Sequence, residues 1–161
     1  MLELTDKQIA EYLYRNYTAV DGLWFMKLED KHGFDTALEI DNDVWKVMPK
    51  IQARMLKSMV NLDNSIEALS DCFEFKLTVE GYTFKTEKIE NPRGFRIVVT
   101  KCPWLDLLVH SGRENLAEKV GTIICSTDCL AWASEFGDNI KFEMQRQMCK
   151  DAKHCLLQFS Y

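Results

Sequence analysis

Six cysteines punctuate a chain of 161 residues, and several occupy places where a sulfur could do chemistry. Cys102 stands before Pro103 and Trp104 in the stretch "TKCPWLDLLVHSGRENL". Proline holds the residue before it extended and is well tolerated at the first position of a helix. Cys102 is therefore expected at a strand end that hands over to a helix, held rigidly with its tip accessible. Cys125 and Cys129 recur one turn apart in a long helical segment. Cys155 has the parity of Leu157 and Phe159, which would place all three on one face of a strand. There is no C-x-x-C pair, and the spacings at 125/129 and 149/155 match no common zinc motif. Any site must be assembled in three dimensions.

Two chemistries are open to such an assembly. A thiolate nucleophile needs a neighbouring base or cation, which makes Cys102 and Cys125 with His110, or alternatively His154, the catalytic candidates and Arg113 a supporting charge. Alternatively, Cys102, Cys125 and Cys155 with His154 offer thiolate and imidazole to a zinc or iron ion. Around either site Trp104, Arg113, Cys129, Trp132 and Phe136 would line a ligand cavity. Each also has a plain structural reading, since a buried cysteine behaves as a small hydrophobe. Cys72 and Cys149 are expected to lie elsewhere. His32, beside Gly33, reads as a helix-end residue favoured by the dipole. Asp21 and Asp41 read as acids bonded to backbone or to Arg15 and Arg54. There is no phosphate loop, G-x-G-x-x-G, H-E-x-x-H or G-x-S-x-G, so nucleotide hydrolysis, dinucleotide binding and the familiar hydrolase mechanisms lack support.

The elements that must position these residues are legible from period and punctuation. Thr5 and Gln8 fit a capping box, and Ile9, Leu13, Tyr17, Val20 and Trp24 recur at helical spacing up to Gly33, the expected stop. A second helix is expected from about Asp35, with Ala37, Ile40, Val44, Val47, Met48, Ile51, Met55 and Met59 on one stripe and a kink at Pro49. A short helix from about Ser65 to Cys72 follows. "FEFKLTVEGYTFKTEKI" then alternates Phe73, Phe75, Leu77 and Val79 against Glu74, Lys76, Thr78 and Glu80, which predicts a strand with one wet face. "NPRG" is a turn and "FRIVVTKC" a strand. Helices are expected over 104–109 and from Arg113 to about Phe136, the latter with an aliphatic face through Leu116, Val120, Ile123, Ile124, Thr127, Leu130 and Ala131 and a second apolar face through Cys125, Cys129, Trp132 and Phe136. "IKFEMQRQMC" and "HCLLQFSY" close as a β-hairpin. The sum is an α+β fold in a single domain over 1–161, with N-terminal helices packed on an antiparallel sheet of four or five strands and a long helix before the C-terminal hairpin.

Composition agrees with an ordinary globular protein at 47% hydrophobic and 28% charged residues. A net charge of -5 argues against nucleic acid as a partner. The acidic start "MLELTDKQ" is unlike a signal peptide, and no apolar run reaches membrane-spanning length, so a cytoplasmic protein with reduced thiols is expected, with no membrane partner.

The pattern Cys102-Pro103, then Cys125-Ser126-Thr127-Asp128, then Cys155 four residues before Phe159 resembles the C-terminal pattern of the L-2-amino-thiazoline-4-carboxylic acid hydrolase-like family. That resemblance covers about the last 60 residues and implies hydrolytic opening of a small cyclic amidine, a C–N substrate. The stretch "TAVDGLWFMKLEDKHGFDTALEIDNDVWKVMPKIQAR" resembles uncharacterised prokaryotic proteins of similar length that share this pattern. The cysteines are also similar, more loosely, to those of 4-vinyl-reductase-type small-molecule-binding domains. Three functions are therefore expected to compete. The first is a small-molecule- or metal-binding protein with a Cys/aromatic cavity, the second a hydrolase using the same cysteines, and the third a dimeric interaction domain, a homodimer, whose Cys/aromatic face packs on a partner.

Overall fold

The computed structural model describes residues 2–161 and divides into two compact units, Met1–Asp41 and Asn42–Tyr161. Its elements run α1 (Asp6–His32), α2 (Phe34–Trp45), α3 (Met48–Val60), α4 (Ile66–Val79), β1 (Thr83–Ile89), β2 (Gly94–Lys101), α5 (Pro103–His110), α6 (Ala117–Ser134), β3 (Lys141–Arg146) and β4 (Cys155–Ser160). The fold is α+β with a four-stranded antiparallel sheet.

In the first unit the capping box forms as the spacing predicts: the Gln8 N–H donates to Thr5 Oγ1, and the Thr5 N–H donates to Gln8 Oε1 at 2.9 Å. Gly33 ends α1 at φ 83, a backbone conformation that costs glycine nothing, and its N–H donates to Glu29 O. Phe25 and Phe34 meet edge to face across that turn, with ring centroids 5.8 Å apart.

In the second unit the sheet order is β1-β2-β4-β3, so the predicted C-terminal hairpin forms inside the sheet with β4 central. Phe159 on β4 lies opposite Phe95 on β2 and Phe142 on β3, with ring centroids 4.9 and 5.0 Å away, and Phe73 from α4 closes over it at 5.2 Å. These cross-strand aromatic pairs lock the register of three strands at one position. Gly94 is required there, because an added Cβ would collide with Phe159 O of the neighbouring strand. Ile97, Val99 and Leu157 continue the buried face, against which α4 and α6 pack.

Three sequence expectations are corrected. The segment 73–79 is the second half of α4, not a strand. Its alternation is accidental: at 3.6 residues per turn Phe73, Lys76, Leu77 and Glu80 share one face, and all four are buried while Phe75 and Val79 are exposed. The Ser65 hydroxyl caps this helix by accepting from Ala68 N, and no breaker intervenes before Gly81. Second, Pro49 does not kink one long helix. The chain turns at Lys46 and Val47, and Pro49 sits in the first turn of a new helix, where a missing N–H costs nothing. Third, the segment from Arg113 begins with a 3-10 turn, Glu114–Leu116, and α6 ends at Ser134.

The helical reading of 73–79 predicts unequal phenylalanines. Phe73→Ala should cost about 3–5 kcal/mol in urea denaturation, whereas Phe75→Ala should stay within about 0.5 kcal/mol. In a strand the two would share a face, so equal losses would refute the helix.

Candidate thiol and charge cluster

Three elements end at one edge of the sheet. Cys102 follows β2, Cys155 opens the antiparallel β4 opposite Val99, and Tyr82 precedes β1, whose Thr83 pairs with Lys101. Cys102 caps α5, its sulfur accepting from Leu105 N at 3.5 Å, so the strand-to-helix handover predicted from Pro103 is present. The Cys155 sulfur accepts from Met148 N at 3.2 Å. Tyr82 bonds the Cys102 side chain. Cys125 and Cys129 complete the group from α6, and Cys102, Cys125 and Cys155 lie near enough to act on one another electrostatically. These three cysteines share one neighbourhood.

Cys149 was expected elsewhere and instead joins them, raising the pKa of both Cys125 and Cys155. Gly121 is the reason. A Cβ there would lie 2.8 Å from the Cys149 sulfur, so a glycine lets that side chain seat directly on α6, where the Gln147 amide also donates to Gly121 O at 3.1 Å. Cys72 does lie apart, buried in the core with Asp71 and Lys57 as its charged neighbours.

Beside the thiols is a buried charge cluster that the strand reading concealed. Lys76 on α4 is 7% exposed, and its Nζ donates to Asp128 Oδ2 on α6 at 2.5 Å, with Glu80 Oε2 3.9 Å away. Burial alone would lower the Lys76 pKa, but Asp128 and Glu80 outweigh it and hold the ammonium charged well beyond the ordinary lysine range. Burial raises the Glu80 pKa against the opposing pull of Lys76 and of a hydrogen bond from Trp104. Cys125, Asp128, Cys129 and Trp132 fall at i, i+3, i+4 and i+7, one face of α6. That face, and not the aliphatic one ending in exposed Leu130, is the more deeply buried, because α4 and the sheet lie beneath it. Two polar atoms on it have no partner: Asp128 Oδ1, an acceptor, and Trp132 Nε1, a donor.

The remaining candidates are distributed around this centre. Trp104 reaches Glu80 and packs edge to face on Trp45, with centroids 6.2 Å apart. Trp132 and Phe136 stack at 6.4 Å inside the core, so they support the site's floor rather than line an open cavity. Arg113 precedes the 3-10 turn after α5. Neither histidine is brought to the sulfurs by its hydrogen bonding: His110 Nδ1 is 2.6 Å from Asp106 O, and His154 Nε2 is 3.4 Å from Arg146 Nη1. Among the described residues no group of three or more His, Cys, Asp or Glu side chains could hold a metal ion.

Burial dominates the electrostatics of the thiols. It drives Cys125 and Cys129 far above the ordinary thiol range, with neighbouring Cys102 and Asp128 adding to the effect. It raises Cys155 to about 11 and Cys102 above its usual value, although the N–H of Met148 and of Leu105 respectively oppose the shift. Tyr82 is likewise pushed far up by burial. All of these groups keep their protons at neutral pH, a state unlike an activated nucleophile.

A family model matches residues 4–148. The chain belongs to DUF6125, a family of unknown function. The matched span contains Lys76, Glu80, Cys102, Cys125, Asp128 and Cys129, and it stops short of Cys149 and Cys155. No curated protein and no solved structure matches the chain. No helix among the described residues is long and apolar enough to cross a membrane.

Lys76 and Glu80 could have been found by testing 66–80 for a helical period before accepting the alternation. Asp128 could have been found from its place on the cysteine face of α6.

Two predictions test the cluster. Lys76→Met should cost about 3–5 kcal/mol by leaving Asp128 buried without its cation, and adding Asp128→Leu should recover much of that loss. A double variant no more stable than the single one would exclude a charge-pair origin. The raised thiol and tyrosine pKa values set the second. A raised folded-state pKa contributes stability that is complete below the unfolded value, 9.0 for a thiol, and is lost as pH rises through the folded value. The urea midpoint should therefore fall steadily from about pH 9 to pH 11, and Cys125→Ala should flatten that slope by about 1.4 kcal/mol per pH unit. A pH-independent midpoint over that range would contradict the burial of protonated thiols.

Proposed function

We propose that this protein binds a small polar molecule at the sheet edge where Cys102, Cys125 and Cys155 meet Lys76, Glu80 and Asp128. The observation that carries the reading is the state of Asp128. It is buried, one of its oxygens is committed to Lys76, and the other has no donor. An unsatisfied buried carboxylate oxygen costs about 1–3 kcal/mol or more, and one turn along the same helix face Trp132 presents the complementary orphan, a buried N–H without an acceptor. A molecule with both a donor and an acceptor would satisfy the pair, and Lys76 supplies the positive charge beside them. The protonated thiols favour binding over nucleophilic turnover.

Native mass spectrometry tests the reading directly. The purified chain is expected to carry a non-covalent adduct in the small-molecule range that Asp128→Asn loses. Wild-type protein that flies without an adduct, at 18.8 kDa or a whole multiple of it, and shows no thermal shift with a panel of small hydroxylated and amide compounds would overturn it. Mass-resolved iodoacetamide labelling gives an independent readout: Cys125 and Cys129 should react only on unfolding, with or without a chelator. Acceleration by the chelator would replace the small molecule with a metal, and rapid native alkylation of one thiol would restore the hydrolase reading.

A further inference from the structure

Helix α1 is 27 residues long and contains no buried residue. Its exposure is not evenly distributed. At about 100° per residue, Ile9, Tyr12, Leu13, Asn16, Val20, Leu23 and Trp24 fall within a sector of roughly 120°, and all seven are exposed. The residues of the opposite side, Tyr14, Thr18, Gly22 and Phe25, are half-buried. The apolar stripe is thus the side of the helix that faces water, the reverse of what a surface helix requires.

We propose that this stripe docks a second copy of the chain, α1 against α1. Three observations select that occupant. Ile9, Leu13, Asn16, Val20 and Leu23 recur at alternating steps of four and three, the spacing by which one helix nests its side chains into an identical partner. Asn16, the single polar residue of the seam, stands midway between Ile9 and Leu23. It therefore meets its own copy whether the partner helix runs parallel or antiparallel, and a buried asparagine at such a position fixes register. The six apolar residues are 43% to 66% exposed. At roughly 200 Å² for a large side chain they offer on the order of 700 Å², close to the approximately 800 Å² that each partner contributes to a standard stable interface.

Charge separates this occupant from a lipid surface. Glu11, Arg15 and Asp21 all lie off the stripe, Glu11 and Arg15 paired at 2.6 Å. The rest of the helix carries Lys7, Lys27 and Lys31 against Asp6, Glu29 and Asp30. An interfacial membrane helix is bordered by cations. Here five acids stand against four lysines and arginines, on a chain of net charge -5.

Sedimentation equilibrium between about 1 and 100 µM decides the matter, the range being that of ordinary reversible dimers. The wild-type chain is expected at twice its 18.8 kDa mass, and Leu13→Glu combined with Val20→Glu is expected at the monomer mass with an unchanged far-UV circular dichroism spectrum. A second exposed apolar row on α3 serves as control: Ile51→Glu with Met55→Glu should leave the dimer intact. A monomeric wild type overturns the proposal without reference to any variant. So does a dimer that survives the α1 substitutions or is broken by the α3 pair, or a wild-type monomer that pellets with phosphatidylcholine/phosphatidylglycerol vesicles.

Discussion

A lysine ammonium placed inside a protein core must be answered there. Lys76 on α4 is answered by Asp128 on α6, and this bond ties the two helices of the second unit together. The two residues are 52 positions apart, so the pair forms only when α4 and α6 lie side by side on the sheet. Once formed, it brings the end of α4 to the sheet edge where Cys102 and Cys155 are presented. Glu80, four residues on, is carried into the same place. A buried ion pair contributes little net stability compared with a well-packed apolar substitute, whereas losing one partner is costly. Its consequence is specificity of arrangement more than strength.

The thiols acquire their character from the same burial. In water each would be close to ionising at mildly alkaline pH. Surrounded by Phe73, Trp132 and their own neighbours, they hold their protons, and the negative charge of Asp128 reinforces this. The cluster is chemically quiet as the fold presents it. What is not quiet is the hydrogen bonding around it, where a carboxylate oxygen and an indole N–H stand unsatisfied on one helix face. The polarity of the site resides in α4 and α6, while the cysteines supply a soft, weakly donating wall.

The legible and illegible parts of this fold separate along a physical line. Punctuation was reliable where one residue decides the backbone: Thr5 and Gln8 at a cap, Gly33 at a stop, and Pro103 at the change from strand to helix. Cys155 was placed correctly because strand parity ties it to Leu157 and Phe159. The failure at 73–79 came from a pattern that satisfies both periods, since "FEFKLTVE" alternates over its whole length and also gathers Phe73, Lys76, Leu77 and Glu80 on one helical face. Only the packed sheet beneath α4 selects between them. Taking the alternation at face value put Lys76 and Glu80 in water and removed the charges from view. Cys149 was missed for a different reason: its side chain seats against Gly121 of α6, a long-range contact that no local signal encodes.

The position of β4 carries a consequence for how the sheet comes into being. It comes last in chain order among the four strands of this sheet, yet it lies between β2 and β3 and holds Phe159, on which Phe95, Phe142 and Phe73 all converge. Until it arrives, the β1-β2 hairpin has an open edge and β3 has no neighbour at all. The growing chain must therefore carry an incomplete sheet with exposed aromatic rings from the end of β2 until β4 is made, a condition in which nascent chains are vulnerable to wrong pairing. Closure of the core is then a single event, the insertion of one six-residue strand.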